Sequence, residues 1–167
     1  HLKGFRILGL EKQMFWTFEG YRFHGYVDRL DSLGEGSLRI VDYKTGKVTD
    51  NDVAIGEDNA EKVIEKLYGS DDENRPKIAF QLFIYDKFIT SDKELSKFKD
   101  VENVIYPAAK LFVGDPLSAP MNSEFSKKME ERLSEMLKEI ADPSISFRRT
   151  GDSKACEYCD FKNICGR

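Results

Sequence analysis

Three side chains have the types and spacing to do chemistry at one spot. Asp42 and Lys44 lie two apart in and just after the apolar run LRIVDY (residues 38–43), so on a strand both project from one face. Asp28 lies in the preceding alternating segment YRFHGYVDRL (residues 21–30). With a turn in Gly34-Glu35-Gly36-Ser37, antiparallel pairing sets Asp28 roughly opposite Asp42. Two carboxylates and water suit a hard divalent cation such as Mg²⁺ or Mn²⁺. Such an ion acidifies water and stabilises charge on a phosphoryl oxygen, and a nearby lysine can orient that water. The same three residues also suit an ordinary ion pair, Asp28 or Asp42 with Lys44 or Arg29, and spacing alone does not choose between the two.

The elements that must position these residues can be read from periodicity. Residues 5–10 (FRILGL), 15–19 (FWTFE), 21–30 and 38–43 read as strands, giving an antiparallel meander. In the third of these, Tyr21, Phe23 and Gly25 fall on one face and His24, Tyr26 and Asp28 on the other. Residues 45–59 are polar and read as a loop. Residues 60–68 have helical spacing, and residues 77–90 are apolar almost all round, as in a deeply packed helix. Residues 103–113 read as a strand, broken near Pro107. Residues 123–141 form an amphipathic helix capped by Asn122 or Ser123, with Phe125, Met129, Leu133, Met136, Leu137 and Ile140 as its stripe. The order β-β-β, loop, α, α, β, α, tail predicts an α/β fold with a mixed sheet flanked by helices.

The 167 residues amount to one domain, with the core in residues 1–145 and a cysteine-bearing tail in residues 146–167. The first residue is His1 rather than Met, which suggests an excised or processed chain. No apolar run is long enough to span a membrane, no signal peptide is visible, and a cytoplasmic setting is expected. A net charge of −4 argues against grip on nucleic acid by bulk positive charge, but not against a small acidic site working through a metal.

The fuller string GYVDRLD…LRIVDYKTGK resembles the nuclease signature of the PD-(D/E)XK superfamily in its RecB/AddB-type branch, G-x-x-D-R-x-D followed by (I/V)-x-D-Y-K-T-G. Gly25, Asp28, Arg29 and Asp31 match the first part, and Val41 to Gly46 match the second; Val27 departs from the proline of the superfamily's name. The resemblance implies a restriction-endonuclease-like fold. It implies Asp28, Asp42 and the Tyr43 carbonyl as metal ligands and Lys44 as the catalytic lysine. Glu11, in LGLE, is similar to a glutamate that the branch carries ahead of its first aspartate, and it would add charge or support a ligand. Gln81 and Tyr85 resemble the branch's Q-x-x-x-Y pair, and i, i+4 spacing puts them on one helix face. The implied activity is metal-dependent DNA hydrolysis, as an exonuclease, on single strands or duplex ends. The implied setting is a helicase–nuclease of repair or recombination. No ATP-binding G-x-x-x-x-G-K-(S/T) motif is present, so a helicase would be a separate domain or subunit. The alternative from another class is a catalytically inactive nuclease-fold scaffold that handles DNA ends or partner proteins.

Cys156, Cys159 and Cys165 form a C-x₂-C-x₅-C run, a spacing that marks metal more often than disulfide. The run resembles the iron–sulfur segment of AddB-type relatives, whose 4Fe–4S cluster takes a fourth, upstream cysteine. Only three cysteines are present, so the cluster is expected in a longer parent and incomplete in this chain, with Zn²⁺ or free thiols as alternatives. His24, on the strand face assigned to Asp28, reads as structural. The aromatics Phe5, Tyr21, Phe23 and Tyr26 read as packing residues that could also stack bases.

Overall fold

The computed structural model describes residues 4–69, 75–110, 115–120, 122–146, 148–151 and 156–166. Five strands form one sheet in the order β1-β2-β3-β4-β5, namely β1 (Arg6–Phe18), β2 (Tyr21–Ser32), β3 (Ser37–Lys44), β4 (Asp100–Pro107) and β5 (Leu117–Pro120). Neighbours are antiparallel except β3 and β4, so the sheet is mixed, as expected. The helices are α1 (Asp50–Val53), α2 (Ala60–Tyr68), α3 (Lys77–Ser91) and α4 (Ser123–Ala141).

The first two expected strands are one. Residues 11–14 continue the ladder, which crosses one irregularity between Ile7 and Gly9 and runs on to Phe18↔Tyr21. Glu19 is not strand but turn: at φ 48, with Gly20 at φ 84, it gives the tight reversal that right-handed strand twist favours. The expected 45–59 loop holds α1, whose start is closed by Thr49 and Asp52: the Thr49 N–H and hydroxyl both donate to Asp52 Oδ2 at 2.8 Å. The expected 103–113 strand begins earlier, at Asp100, and stops at Pro107, where a short 3₁₀ turn follows; residues 111–113 lie outside the described residues. Strand β5 is an addition to the expected elements, since four residues carry too little alternation to register.

A single core joins the helices to one face of the sheet. Met14, Trp16, Val27, Leu30, Leu38, Ile40 and Ile105 meet Ile64, Phe83, Phe88, Met129 and Leu133 there. Trp16 clamps the β1–β2 hairpin to α3, stacking on Phe18 at 5.0 Å, meeting Phe23 tilted at 5.0 Å and Phe83 edge-on at 5.8 Å. Gly25 lets α3 come close, because a Cβ there would lie 3.3 Å from Phe88 Cε2. Helix α4 keeps its expected span and cap, with Phe125 N–H donating to Asn122 Oδ1 at 2.9 Å. Its stripe ends at Leu137, and Ile140 is exposed.

The opposite face is organised by charge. Asp31 is fully buried between Arg39, which donates from Nε at 2.7 Å and Nη2 at 3.1 Å, and Arg29, whose Nε lies 2.9 Å away. The Arg29 guanidinium also lies over the rings of Phe5, Tyr43 and Tyr106 and donates to the Tyr43 hydroxyl.

Candidate active site

Strands β2 and β3 pair over Arg29↔Val41, Leu30↔Ile40 and Asp31↔Arg39. The next step of that register sets Asp28 against Asp42, as the sequence suggests. There the ladder gives way to a side chain: Tyr43 N–H donates to Asp28 Oδ2 at 2.8 Å.

Asp28 does not lie on the face of His24 and Tyr26 that simple alternation gives it. Gly25 and Val27 pack inward, and so does Leu30, which pairs with Ile40 in the core. Alternation therefore breaks between Val27 and Asp28, and Asp28 turns inward, close enough to Tyr85 for its charge to act on the hydroxyl. His24 stays on the outer face, beside Phe15, and does not share a face with Asp28. Glu11 sits abreast of this break, framed by the pairs Leu10↔Arg29 and Lys12↔Val27, with its backbone at φ 45. A non-glycine residue in that region is strained, and such strain gathers at functional sites.

The centre is held from α3. Asp42 is buried, 4% exposed. Its Oδ1 accepts from Gln81 Nε2 at 2.8 Å and from the Tyr85 hydroxyl at 2.9 Å. Gln81 Nε2 also reaches the Tyr85 oxygen at 2.6 Å, and Gln81 Oε1 accepts from Lys44 Nζ at 2.5 Å. Lys44 Nζ lies 2.8 Å from Asp42 Oδ2. That contact is an ion pair without hydrogen-bond alignment, so the buried Oδ2 accepts no hydrogen bond among the described residues. Burial, and next the Asp42 charge, push the Tyr85 hydroxyl far above its usual value, so it stays a donor at any working pH.

Asp28, Asp42, Lys44, Gln81 and Tyr85 thus converge, with the main chain of Tyr43 between them; the Tyr43 ring points away, to the outer face. The ion-pair alternative is realised in part, since Lys44 does pair with Asp42, whereas Arg29 pairs with Asp31. Glu11 is exposed, and among the described residues no three His, Cys, Asp or Glu side chains are arranged to hold a metal. Neither Glu11 with the two aspartates nor the three cysteines form such a group among the described residues. Cys156 and Cys159 are half-buried thiols joined by a backbone turn, and Cys165 is exposed, its carbonyl accepting from Arg149 Nη1 at 2.7 Å.

Sequence reasoning misses the pair beneath this centre. Asp86 on α3 and Asn103 on β4 are both buried, and Asn103 Nδ2 donates to Asp86 Oδ1 at 2.7 Å. A lone aspartate within an apolar helical run is the available signal. Asp31 matches the motif, but nothing in its spacing announces two arginines.

No helix among the described residues is long and apolar enough to cross a membrane. No curated protein matches the chain. The family model of the PD-(D/E)XK nucleases, usually metal-dependent enzymes, matches residues 1–166, and with this sheet and these acidic strands the chain belongs to the PD-(D/E)XK nuclease superfamily.

Proposed function

We propose that this chain is a Mg²⁺- or Mn²⁺-dependent DNA nuclease with its site at Asp28, Asp42 and Lys44. The observation that carries the reading is the asymmetry of Asp42. Oδ1 is fixed by two neutral donors, while the buried Oδ2 accepts no aligned hydrogen bond and faces only the Lys44 ammonium, 2.8 Å away. Such an oxygen needs a cation beside it; Lys44 is that cation here, and a divalent ion taken up by Oδ2 would leave Lys44, still held by Gln81, free to meet water and phosphate. Asp28 and Asp42, with the Tyr43 carbonyl, would hold that ion, an all-oxygen set that suits a hard metal. When bound, the ion stabilises charge on the scissile phosphate and acidifies water.

The chain's own residues do the rest. Gln81 and Tyr85 fix the Asp42 carboxylate, and Gln81 Oε1 aims Lys44 Nζ. Lys44 then orients the attacking water and donates to the phosphate as charge develops. Glu11 is a supporting carboxylate beside Asp28, which gives its strained backbone a purpose. The Gln81/Tyr85 pair and the C-terminal cysteines support the RecB/AddB-type branch as the finer assignment. With it come exonuclease action on DNA ends, a helicase partner and a cluster completed in a longer parent.

The test is cleavage of end-labelled single-stranded DNA in Mg²⁺ or Mn²⁺, with EDTA as control. Cleavage is expected with metal, and is expected to vanish in Asp42→Ala and Lys44→Ala proteins whose circular dichroism is unchanged. Cleavage retained in both variants refutes the assignment.

A further inference from the structure

The β1–β2 ribbon continues past the site without β3. Beyond Asp28, the ladder between β1 and β2 runs to Phe18↔Tyr21, whereas β2–β3 pairing is confined to Arg29–Asp31. The ribbon's inner face is fastened to α3 by Met14, Trp16 and the close approach at Gly25. Its outer face carries two rows, Gln13-Phe15-Thr17 and Arg22-His24-Tyr26, paired across the strands. Neither row holds a carboxylate, in a chain whose net charge is −4. Tyr26 is 57% exposed and Phe15 41%. The Arg22 guanidinium lies 4.3 Å over the Phe15 ring.

Exposed rings beside an arginine suit a nucleic-acid strand, whose bases stack on the rings and one of whose phosphates meets the guanidinium. A protein partner would be met by the same rings, but nothing in the rows asks for an acidic protein rather than a polyphosphate with π-faces. Tyr26 is two residues, about 7 Å along the strand, from Asp28 but on the opposite face of β2; β2–β3 pairing ends at Arg29, so a chain leaving the outer face reaches the site where the two strands part.

We propose that the outer face of this ribbon seats the single-stranded flank of the DNA whose phosphate is cut at Asp28 and Asp42, with Tyr26 stacking a base and Arg22, braced on Phe15, meeting a phosphate. The inference rests on the nuclease reading, because it names the part of the substrate that lies next to that site. Bulk charge does not hold this strand; two rows of side chains without a carboxylate do.

The experiment is fluorescence anisotropy of a fluorescein-labelled oligothymidylate longer than the ~16-nucleotide upper size of such grooves, in EDTA so that nothing is cut. Tyr26→Ala is expected to weaken binding at least about fivefold, and Tyr26→Phe to preserve it, because stacking needs the ring and not the hydroxyl. Arg22→Ala is expected to weaken binding and to reduce the slope of log affinity against log salt by about 0.7, one phosphate's share on a single strand. Both side chains are exposed, so circular dichroism should be unchanged. No binding by the wild type, or wild-type binding by both alanine variants, overturns the proposal. So does a concentration-dependent dimer in sedimentation that Tyr26→Ala abolishes, which would make the face a contact between copies. Binding in EDTA is independent of turnover. Ring-dependent binding without metal-dependent cleavage would therefore leave this surface standing and remove the nuclease reading; cleavage lost in Asp42→Ala, with binding indifferent to Tyr26, would do the reverse.

Discussion

Replacing Asp86 by Asn should stabilise this protein, and more so as pH rises. Asp86 is buried in α3 beside Leu82, Phe83 and Asn103. Burial raises its carboxyl from an ordinary 3.8 to about 7, against the smaller opposing effects of the Asn103 hydrogen bond and the Lys87 charge. The sign follows from linkage. Below 3.8 both folded and unfolded chains hold the proton, so the group costs nothing. Between 3.8 and about 7 the unfolded chain releases the proton and the folded chain keeps it, so stability falls with rising pH. At 1.36 kcal/mol per pH unit the loss is about 4 kcal/mol by pH ~8 and under ~1 kcal/mol at pH ~4. The amide introduced by Asp86→Asn does not titrate. It could also donate to Asn103 Oδ1, which is buried and accepts no hydrogen bond among the described residues. Urea unfolding of both proteins at the two pH values gives the result as a double difference, in which other titrating groups cancel. The Asp86→Asn advantage is expected to grow by about 4 kcal/mol from pH ~4 to ~8, or roughly 10 °C in Tm at this chain length. An advantage equal at both pH values would refute the reasoning.

Two further substitutions test how the site is positioned. Asp31→Ala strands two arginines and should cost about 3–5 kcal/mol, seen as a lower urea midpoint at unchanged m-value. Gly25→Val places side-chain atoms where Phe88 already sits, so α3 must shift away from β2. It should cost about 1–3 kcal/mol and also lower kcat by moving Gln81 and Tyr85 from Asp42, a loss visible in single-turnover cleavage.

The sequence carries the catalytic strands well because their signal is local. Asp42 and Lys44 share a face by the two-residue repeat alone, and Gln81 and Tyr85 share one by the helical turn. The turn at Gly34–Ser37 then fixes the register that brings Asp28 to Asp42. Long amphipathic helices are legible for the same reason, and Ala60–Tyr68 and Ser123–Ala141 stand where periodicity puts them. What stays hidden depends on partners distant in the chain. The inward turn of Asp28 requires a break in alternation beside the strained Glu11, which no local pattern encodes. Asp31 reads as one more polar strand residue until Arg39 arrives from the next strand. Asp86 and Asn103 meet only because β4 lies beside β3, across a parallel crossover whose register no turn dictates. Strand β1 reads as two because Lys12 and Gln13 look polar, although Lys12 is drawn inward to an ion pair with Asp92 at the end of α3.

Asp28 and Asp42, on strands that part at this point, are proposed to share one divalent ion. Mn²⁺ titration by calorimetry, on the wild type and on Asp28→Asn and Asp42→Asn, tests it without DNA or turnover. Binding to the wild type is expected, with either substitution weakening it by tenfold or more, in line with loss of a hard-metal oxygen ligand. Equal Mn²⁺ affinity in all three proteins would place the ion elsewhere and remove the shared site.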